Sequence, residues 1–293
     1  MPPIHFALLV LICLAWGGNF LASAYSLLTL PPFLFTALRL AVVLLVLLPF
    51  LRPLPRDQWG RVAAVGTLNG ALHFGFNFWA LKAAGDISSN AILLQSYIPI
   101  SALMAWWFLG ERFGWRTGAG IAVAFAGVLV LGFDPLVLDA PMAALLALLA
   151  AFTLALGTTL MRGLRGVGTF ELQAWGALLG MPLMFGISAL FEHDQLNAMA
   201  QADWLTWGGV LYGALIASVV GHGLLYFLVQ RHPISQVTPY LLLAPMFAVA
   251  LGVLVWGDSP GPSLYLGGAM VLLGILIIFI RSAVRGRPIQ SSD

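Results

Sequence analysis

Apolar runs of about 20 residues recur from one end of the chain to the other, separated by short clusters of proline, glycine and charge. A run of that length spans the ~30 Å hydrocarbon layer of a bilayer as an α-helix. Taken run by run, the pattern predicts helices over 4–28, 32–51, 60–82, 89–109, 116–133, 142–162, 169–190, 204–229, 235–257 and 263–281. The interruptions carry turn chemistry: Pro31-Pro32, Pro53 with Pro55, Gly85-Asp86, Gly114, Asp134-Pro135, Gly166 to Gly168, His232-Pro233 and Pro260-Gly261-Pro262. The runs do not alternate residue by residue, as barrel strands would. The first run is too long for a signal-peptide core and lacks a basic stretch before it, so it counts as a span.

The runs fall into two related sets. Ile87-Ser88 returns as Ile234-Ser235, Gly110-Glu111 as Gly257-Asp258, Gly120 as Gly267 and Gly127 as Gly274, each 147 positions downstream, and Pro99 and Pro245 recur one residue out of step. Two halves of five helices follow, over 1–134 and 140–281, with a tail over 282–293. Because five is odd, the second half enters the membrane from the opposite side, an inverted-topology repeat. Charge supports this arrangement. Arg52, Arg56, Arg61, Arg112, Arg116, Arg162, Arg165, Arg231, Arg281, Arg285 and Arg287 collect on the side holding the termini, whereas the other side has Lys82 with Asp86, Asp134, Asp139, Glu192, Asp194, Asp203 and Asp258. The positive-inside rule then places both termini in the cytoplasm of an inner or plasma membrane.

Composition changes the picture only by exclusion. A chain that is 61% hydrophobic and 8% charged cannot be a soluble globule, for which about 25% charged residues is usual. Its single cysteine, Cys13, lies inside the first run and excludes a disulfide framework. The fold class expected is all-α integral membrane, ten spans in two inverted repeats around a central cavity.

Polar residues inside spans mark where protein or water, not lipid, must face them. Asn69, His73 and Asn77 on the third helix are four residues apart, as are Ser218, His222 and Tyr226 on the eighth. Spacing of four aligns each set on one helix face. Two such stripes suit a cavity on the pseudo-two-fold axis; hydrogen bonding between helices is the plainer use of the same residues. Arg39 is the one formal charge well inside a span. It either meets a substrate carboxylate or satisfies carbonyls of a neighbouring helix. Pro99 and Pro245 each remove a backbone hydrogen bond within a helix, as hinges or as fixed kinks. Gln95 and Tyr97 precede Pro99, and Trp16, Trp79 and Trp175 lie deep enough to line a cavity. Glu111 reads as an element of turn structure.

Trp16-Gly17 and Asn19-Phe20 on helix one, Ala37-Leu38-Arg39 on helix two, Pro99 inside helix four, Gly110-Glu111-Arg112 after it and a glycine-rich fifth helix together resemble an EamA-type repeat. Two such halves are similar to the ten-helix drug/metabolite transporter superfamily, and within it most like amino-acid exporters of the YddG type. The resemblance implies helices one to four and six to nine around a cavity, helices five and ten at the periphery, and secondary transport by alternating access. Trp16, Asn19 and Arg39 are candidate substrate-binding residues, although the family pattern places an arginine at Arg39 whatever the substrate, which favours a structural role for it. The second half departs from the pattern, with Leu156-Gly157-Thr158 in place of Trp16-Gly17-Gly18 and Gln173 near the place of Arg39.

No GxxxxGK[ST] phosphate loop occurs, and no carboxylate is embedded in a span to relay protons. The imidazoles of His73 and His222, ordinarily titrating near about 6.5, are the groups available for proton coupling. One interior arginine is too few for a phosphorylated solute. A neutral or zwitterionic solute fits amides, hydroxyls and aromatics better. Ser218 and His222 lack the third group and oxyanion hole of a hydrolase. The expectation is a secondary transporter and not an enzyme, seated in the lipid bilayer and moving small solutes, amino acids or similar metabolites, across it, with no cofactor, metal or nucleic-acid partner. A drug or other-metabolite carrier of the same fold is the alternative.

Overall fold

The computed structural model describes residues 2–108, 110, 114–229, 231 and 237–285. Glu111, Arg112, Gln230, Ile234, Ser235 and the tail from 286 lie outside the described residues, as does the side chain of Tyr226.

The described residues form helices joined by short turns, with no strand among them. In the first half α1 is Pro3–Thr29, α2 is Pro32–Leu47, and α3 runs through Trp59–Val65, a π-helical stretch Gly66–Leu72 and His73–Ala84. Next, α4 comprises Ser88–Leu94 and Tyr97–Phe108, and α5 is Trp115–Leu131. In the second half α6 is Pro141–Met161, α7 is Thr169–Phe191, and α8 runs through Trp204–Leu211, π-helical Tyr212–Val220 and Gly221–Val229. Finally, α9 is a 3₁₀ turn Thr238–Leu242 followed by Leu243–Leu251 and π-helical Gly252–Trp256, and α10 is Pro262–Arg285. Short surface helices, Pro135–Leu138 and Gln195–Gln201, sit between α5 and α6 and between α7 and α8.

Local chemistry sets these bounds. Proline stands at or next to the first position of α1, α2 and α6, where its missing N–H costs nothing. Among the described residues six helical stretches are long and apolar enough to cross a membrane, and Trp115–Leu131, Tyr240–Trp256 and Pro262–Ile278 are shorter apolar helices. The exception is α3, whose Asn69, Gly70, His73, Gly75 and Asn77 dilute its hydropathy.

Contacts close eight helices into a ring, neighbour to neighbour α1, α8, α2, α7, α3, α6, α4, α9 and back to α1. Helices from the two halves alternate all the way around it. Outside the ring α5 and α10 pair with each other beside α4 and α9. Their crossing explains the recurring glycines. A Cβ on Gly127 would stand 2.6 Å from the Gly267 carbonyl oxygen, and one on Gly120 would stand 2.8 Å from that of Gly274. Residues equivalent by the repeat therefore exchange partners in an antiparallel pair, and only glycine allows backbones this close.

The connections gather at two ends of the bundle. One end is held by carboxylates on helix N-termini, where unpaired N–H groups and the helix dipole favour an anion. There Glu192 accepts from the Phe33 and Leu34 N–H groups at 2.8 and 3.0 Å, and Asp134 accepts from Leu264 N–H at 2.8 Å. Each of these joins one half to the other. At the opposite, arginine-rich end, Arg61 donates to the Gly163 carbonyl and Trp175 to that of Arg52 at 3.0 Å.

Candidate functional site

Two of the three π-helical stretches among the described residues, Gly66–Leu72 and Tyr212–Val220, occupy equivalent places in the two halves, just before His73 and just before His222. A π turn inserts a residue into the helix and re-aims the side chains beyond it, a device concentrated at functional sites. The Ser218 hydroxyl uses the looser ladder, donating to the Gly213 carbonyl five residues back at 3.0 Å.

Arg39 projects from α2 into the space between α1, α3 and α8 and is 2% exposed. Its Nη2 donates to Ser218 Oγ at 2.9 Å. Its guanidinium lies 4.4 Å from the ring centroid of Phe74 and 5.4 Å from that of Phe78. No carboxylate is hydrogen-bonded to it among the described residues, and Nη1 is buried without a partner. Asn19 on α1 presents a second orphan, a buried Oδ1 with nothing to accept from. Both groups lie against Gly213 of α8: the point where its Cβ would sit is 3.1 Å from Asn19 Oδ1 and 3.3 Å from Arg39 Nε. The Arg39 side chain and the Asn19 carbonyl thus flank the same glycine, with Arg39 Nη1 and Asn19 Oδ1 each buried without a partner. Buried polar groups are almost always paired, which makes these two atoms the candidate polar contacts of the interior.

Around this pair, Trp16 donates from Nε1 to the Ala217 carbonyl at 2.9 Å and packs on His222, ring centroids 5.3 Å apart. His222 Nδ1 lies 3.0 Å from the Ser218 carbonyl. His73, His222 and Arg39 are within electrostatic reach of one another. The aromatic surface on Arg39 comes from Phe74 and Phe78, and a separate apolar cluster brings Phe20, Phe76, Tyr97 and Ile100 against Leu94, Ala150 and Ala151. In the second half Gln173, near the expected place of Arg39's counterpart, also has a buried amide nitrogen without a partner.

The α3 stripe is used differently from the α8 stripe. Asn69 fills the space left by the missing side chain of Gly157 on α6, His73 Nδ1 lies 3.0 Å from the Ala150 carbonyl of α6, and Asn77 accepts from Asn90 of α4 at 3.1 Å. These three join α3 to α6 and α4, although the oxygens of Asn69 and Asn90 remain unpaired. Two tryptophans need correcting. Trp79 is 41% exposed and packs edge-on against Phe33 at 5.5 Å, so it lies on the outer surface. Trp175 bonds to the loop after α2 and packs on Trp59 at 4.7 Å, at the arginine-rich end. Interfacial aromatics and deep ones look alike in an apolar run; only the helix's rotation separates them. Gln95 turns back to the Ala91 carbonyl of its own helix at 3.4 Å. It stands at the break between the two pieces of α4, directly before Tyr97 and Pro99, and Pro245 likewise lies just past the switch from 3₁₀ to α in α9. Phe74, Phe78, Asn90 and Gly213 were not anticipated. Phe74 and Phe78 do follow the four-residue spacing next to the polar stripe, a signal available but ambiguous.

At the arginine-rich end an open cavity of about 760 Å³ is lined by Asp57, Gln58, Arg61, Arg162 and Arg165, between the ends of α3 and α6. It contains none of the interior residues above.

Two repeated helical halves enclosing a polar, aromatic-walled interior define a multi-pass membrane protein. The EamA-like transporter family model matches residues 4–133 and 141–280, so the chain belongs to that family and is a transporter, not an enzyme. It is 26% identical to the "Probable amino-acid metabolite efflux pump" of Escherichia coli K12 over 92% of this chain and 93% of that protein. It is 27% identical to the "Probable terminal-alkyne amino-acid exporter" of Streptantibioticus cattleyicolor over 68% of this chain and 67% of that one. A solved crystal structure covers 98% of this chain and 100% of its own with a TM-score of 0.64 at 21% identity, a likeness of fold.

Proposed function

We propose that this protein exports amino acids across the inner membrane by alternating access, with ten spans in two inverted repeats and both termini in the cytoplasm. The single observation that carries the substrate class is the buried Arg39 guanidinium, its Nη1 unpaired, which flanks Gly213 together with the unpaired Asn19 Oδ1. A carboxylate on Nη1 and an ammonium on Asn19 Oδ1 would satisfy both, and an α-amino acid carries both groups. Phe20, Phe74, Phe76 and Tyr97 offer apolar surface to the side chain. The printed names of the relatives support the same reading. Exchange of partners between Gly120, Gly127, Gly267 and Gly274 supports the inverted repeat. The arginine-rich and carboxylate-rich ends support the orientation.

The test is transport in proteoliposomes with labelled amino acids, competed by matched compounds lacking one charge. Phenylalanine should compete, and phenylalanine amide and N-acetylphenylalanine should each compete at least about tenfold more weakly, since each loses one charge-assisted bond. Equal competition by all three would overturn the zwitterion reading. Transport of cationic dyes with no response to any amino acid would favour a drug carrier of the same fold.

A further inference from the structure

The recurring sequence motif has a physical meaning that appears only between the halves. Ser88 opens α4 in the first half, and Asp258 follows α9 in the second. Asp258 Oδ2 accepts from the backbone N–H of Ile87 at 3.0 Å, the N–H of Ser88 at 2.8 Å and the Ser88 hydroxyl at 2.6 Å, and the carboxylate is buried. The end of α9 is shaped for this contact. Its last turn is π-helical, Gly257 takes φ 88°, and Asp258 N–H returns to the Gly252 carbonyl at 2.9 Å. A side chain on Gly252 would overlap the Asp258 carboxylate and stand 2.7 Å from Ser88 Oγ. Beside it Trp256 Nε1 donates to the Gly85 carbonyl at 2.9 Å.

These contacts join α4 to α9 at the carboxylate-rich end, and the same two helices are the ones interrupted near their prolines. In α4 the interruption is at Gln95 and Ser96, and in α9 it falls between Leu242 and Leu243. Where the i→i−4 ladder gives way to tighter i→i−3 bonds the segment beyond can pivot, while the latch at its far end holds it in place. Glu111 and Ser235, the positions equivalent to Asp258 and Ser88, lie outside the described residues.

We propose that the bonds from Ile87 and Ser88 to Asp258 are a latch that keeps the carboxylate-rich end closed and must break for solute to leave there. Ser88 and Asp258 are then positioning residues for transport. This rests on the alternating-access reading above, but its test does not need the substrate.

In a Cys13→Ser background, Ala91→Cys places a thiol one turn inside Ser88, at a fully buried position in the cluster with Leu27, Phe78 and Ala248. A membrane-impermeant maleimide is added to the carboxylate-rich face of vesicles. Asp258→Ala should raise the labelling rate about tenfold or more, because three hydrogen bonds to a charged acceptor are lost. Asp258→Asn, whose amide oxygen still accepts, should fall between. An unchanged rate in folded Asp258→Ala protein would overturn the latch. If that variant does not fold, Ser88→Ala removes only the shortest bond and should still speed labelling; an unchanged rate there would count equally against it. As a second measurement, Ser88→Cys with Asp258→Cys, oxidised to a disulfide with copper–phenanthroline, should stop transport until a reductant restores it. Transport at the uncross-linked rate through the disulfide form would refute the latch while leaving the amino-acid reading intact. Failure to transport amino acids would leave the labelling difference untouched.

Discussion

Replacing Arg39 by methionine separates a functional arginine from a structural one. The side chain makes one hydrogen bond, to Ser218 Oγ, lies over two aromatic rings, and leaves Nη1 unpaired at 2% exposure. Losing the bond costs about 1.5–3 kcal/mol, and the ring contacts add about 1–2 kcal/mol. Against this, removing a buried orphan donor recovers about 1–3 kcal/mol, and the buried charge goes with it. Ser218 is not stranded, because its hydroxyl keeps the Gly213 carbonyl. The terms nearly cancel, so Arg39→Met should melt within about 2 kcal/mol of wild type. Binding has no such compensation. A lost guanidinium–carboxylate bond of about 1.5–3 kcal/mol weakens substrate roughly 10- to 150-fold. Arg39→Lys keeps the charge but not the planar fork and should recover only part of the loss. The assays are thermal unfolding in detergent and concentration-dependent uptake into proteoliposomes. Destabilisation by more than about 4 kcal/mol with transport intact per folded molecule would show that Arg39 serves packing and that its unpaired nitrogen is incidental.

Two further perturbations test the frame around the site. Gly127→Ala forces a methyl within 2.6 Å of the Gly267 oxygen and 2.7 Å of the Val271 nitrogen, so α5 and α10 must separate. The overpacking cost of about 1–3 kcal/mol outweighs the gain of up to about 1 kcal/mol in helix propensity, and unfolding measurements should show a net loss. Gly186→Ala on α7 meets nothing within 4 Å and should stabilise by up to about 1 kcal/mol in the same assay; equal effects at the two positions would defeat the packing argument. Asp86, in the turn before α4, is pushed up from 3.8 to about 6 by burial, with Asp258 and Asp134 adding to the shift against its bonds to Ser89. The folded protein therefore holds this proton more tightly than the unfolded chain. Its stabilising contribution is complete below about pH 4 and lost as pH rises through about 6. Asp86→Asn should melt higher than wild type at pH 7.5, by at most about 3 kcal/mol, and equal it near pH 4. A difference that does not change with pH would refute the assignment.

Much of the architecture follows from one-dimensional facts. Apolar run length and its punctuation depend on backbone satisfaction in lipid, a local requirement, so the helices are legible in Pro31-Pro32 or Gly85-Asp86 without any partner in view. The repeat is legible because Gly120, Gly127, Gly267 and Gly274 must all stay small where α5 crosses α10. Arg39 stood out because a charge in an apolar run is rare at any rotation of the helix.

What the sequence left open depends on rotation and on partners distant in the chain. The π turns before His73 and His222 shift the helix register that four-residue spacing assumes, and a one-residue insertion has no signature in an apolar run. Trp79 is exposed and Trp175 sits at the arginine-rich end for the same reason, while Phe74 and Phe78 turn toward Arg39. The orphan atoms of Arg39 and Asn19 exist only because α1, α2 and α8 meet at Gly213, 174 residues beyond Arg39 in the chain. Asp258 looked like the end of a motif; the folded chain makes it the cap of a helix in the other half. Hydrophobicity acts on each segment alone and can be read from it, whereas a hydrogen bond needs two groups, and only the tertiary structure decides which two.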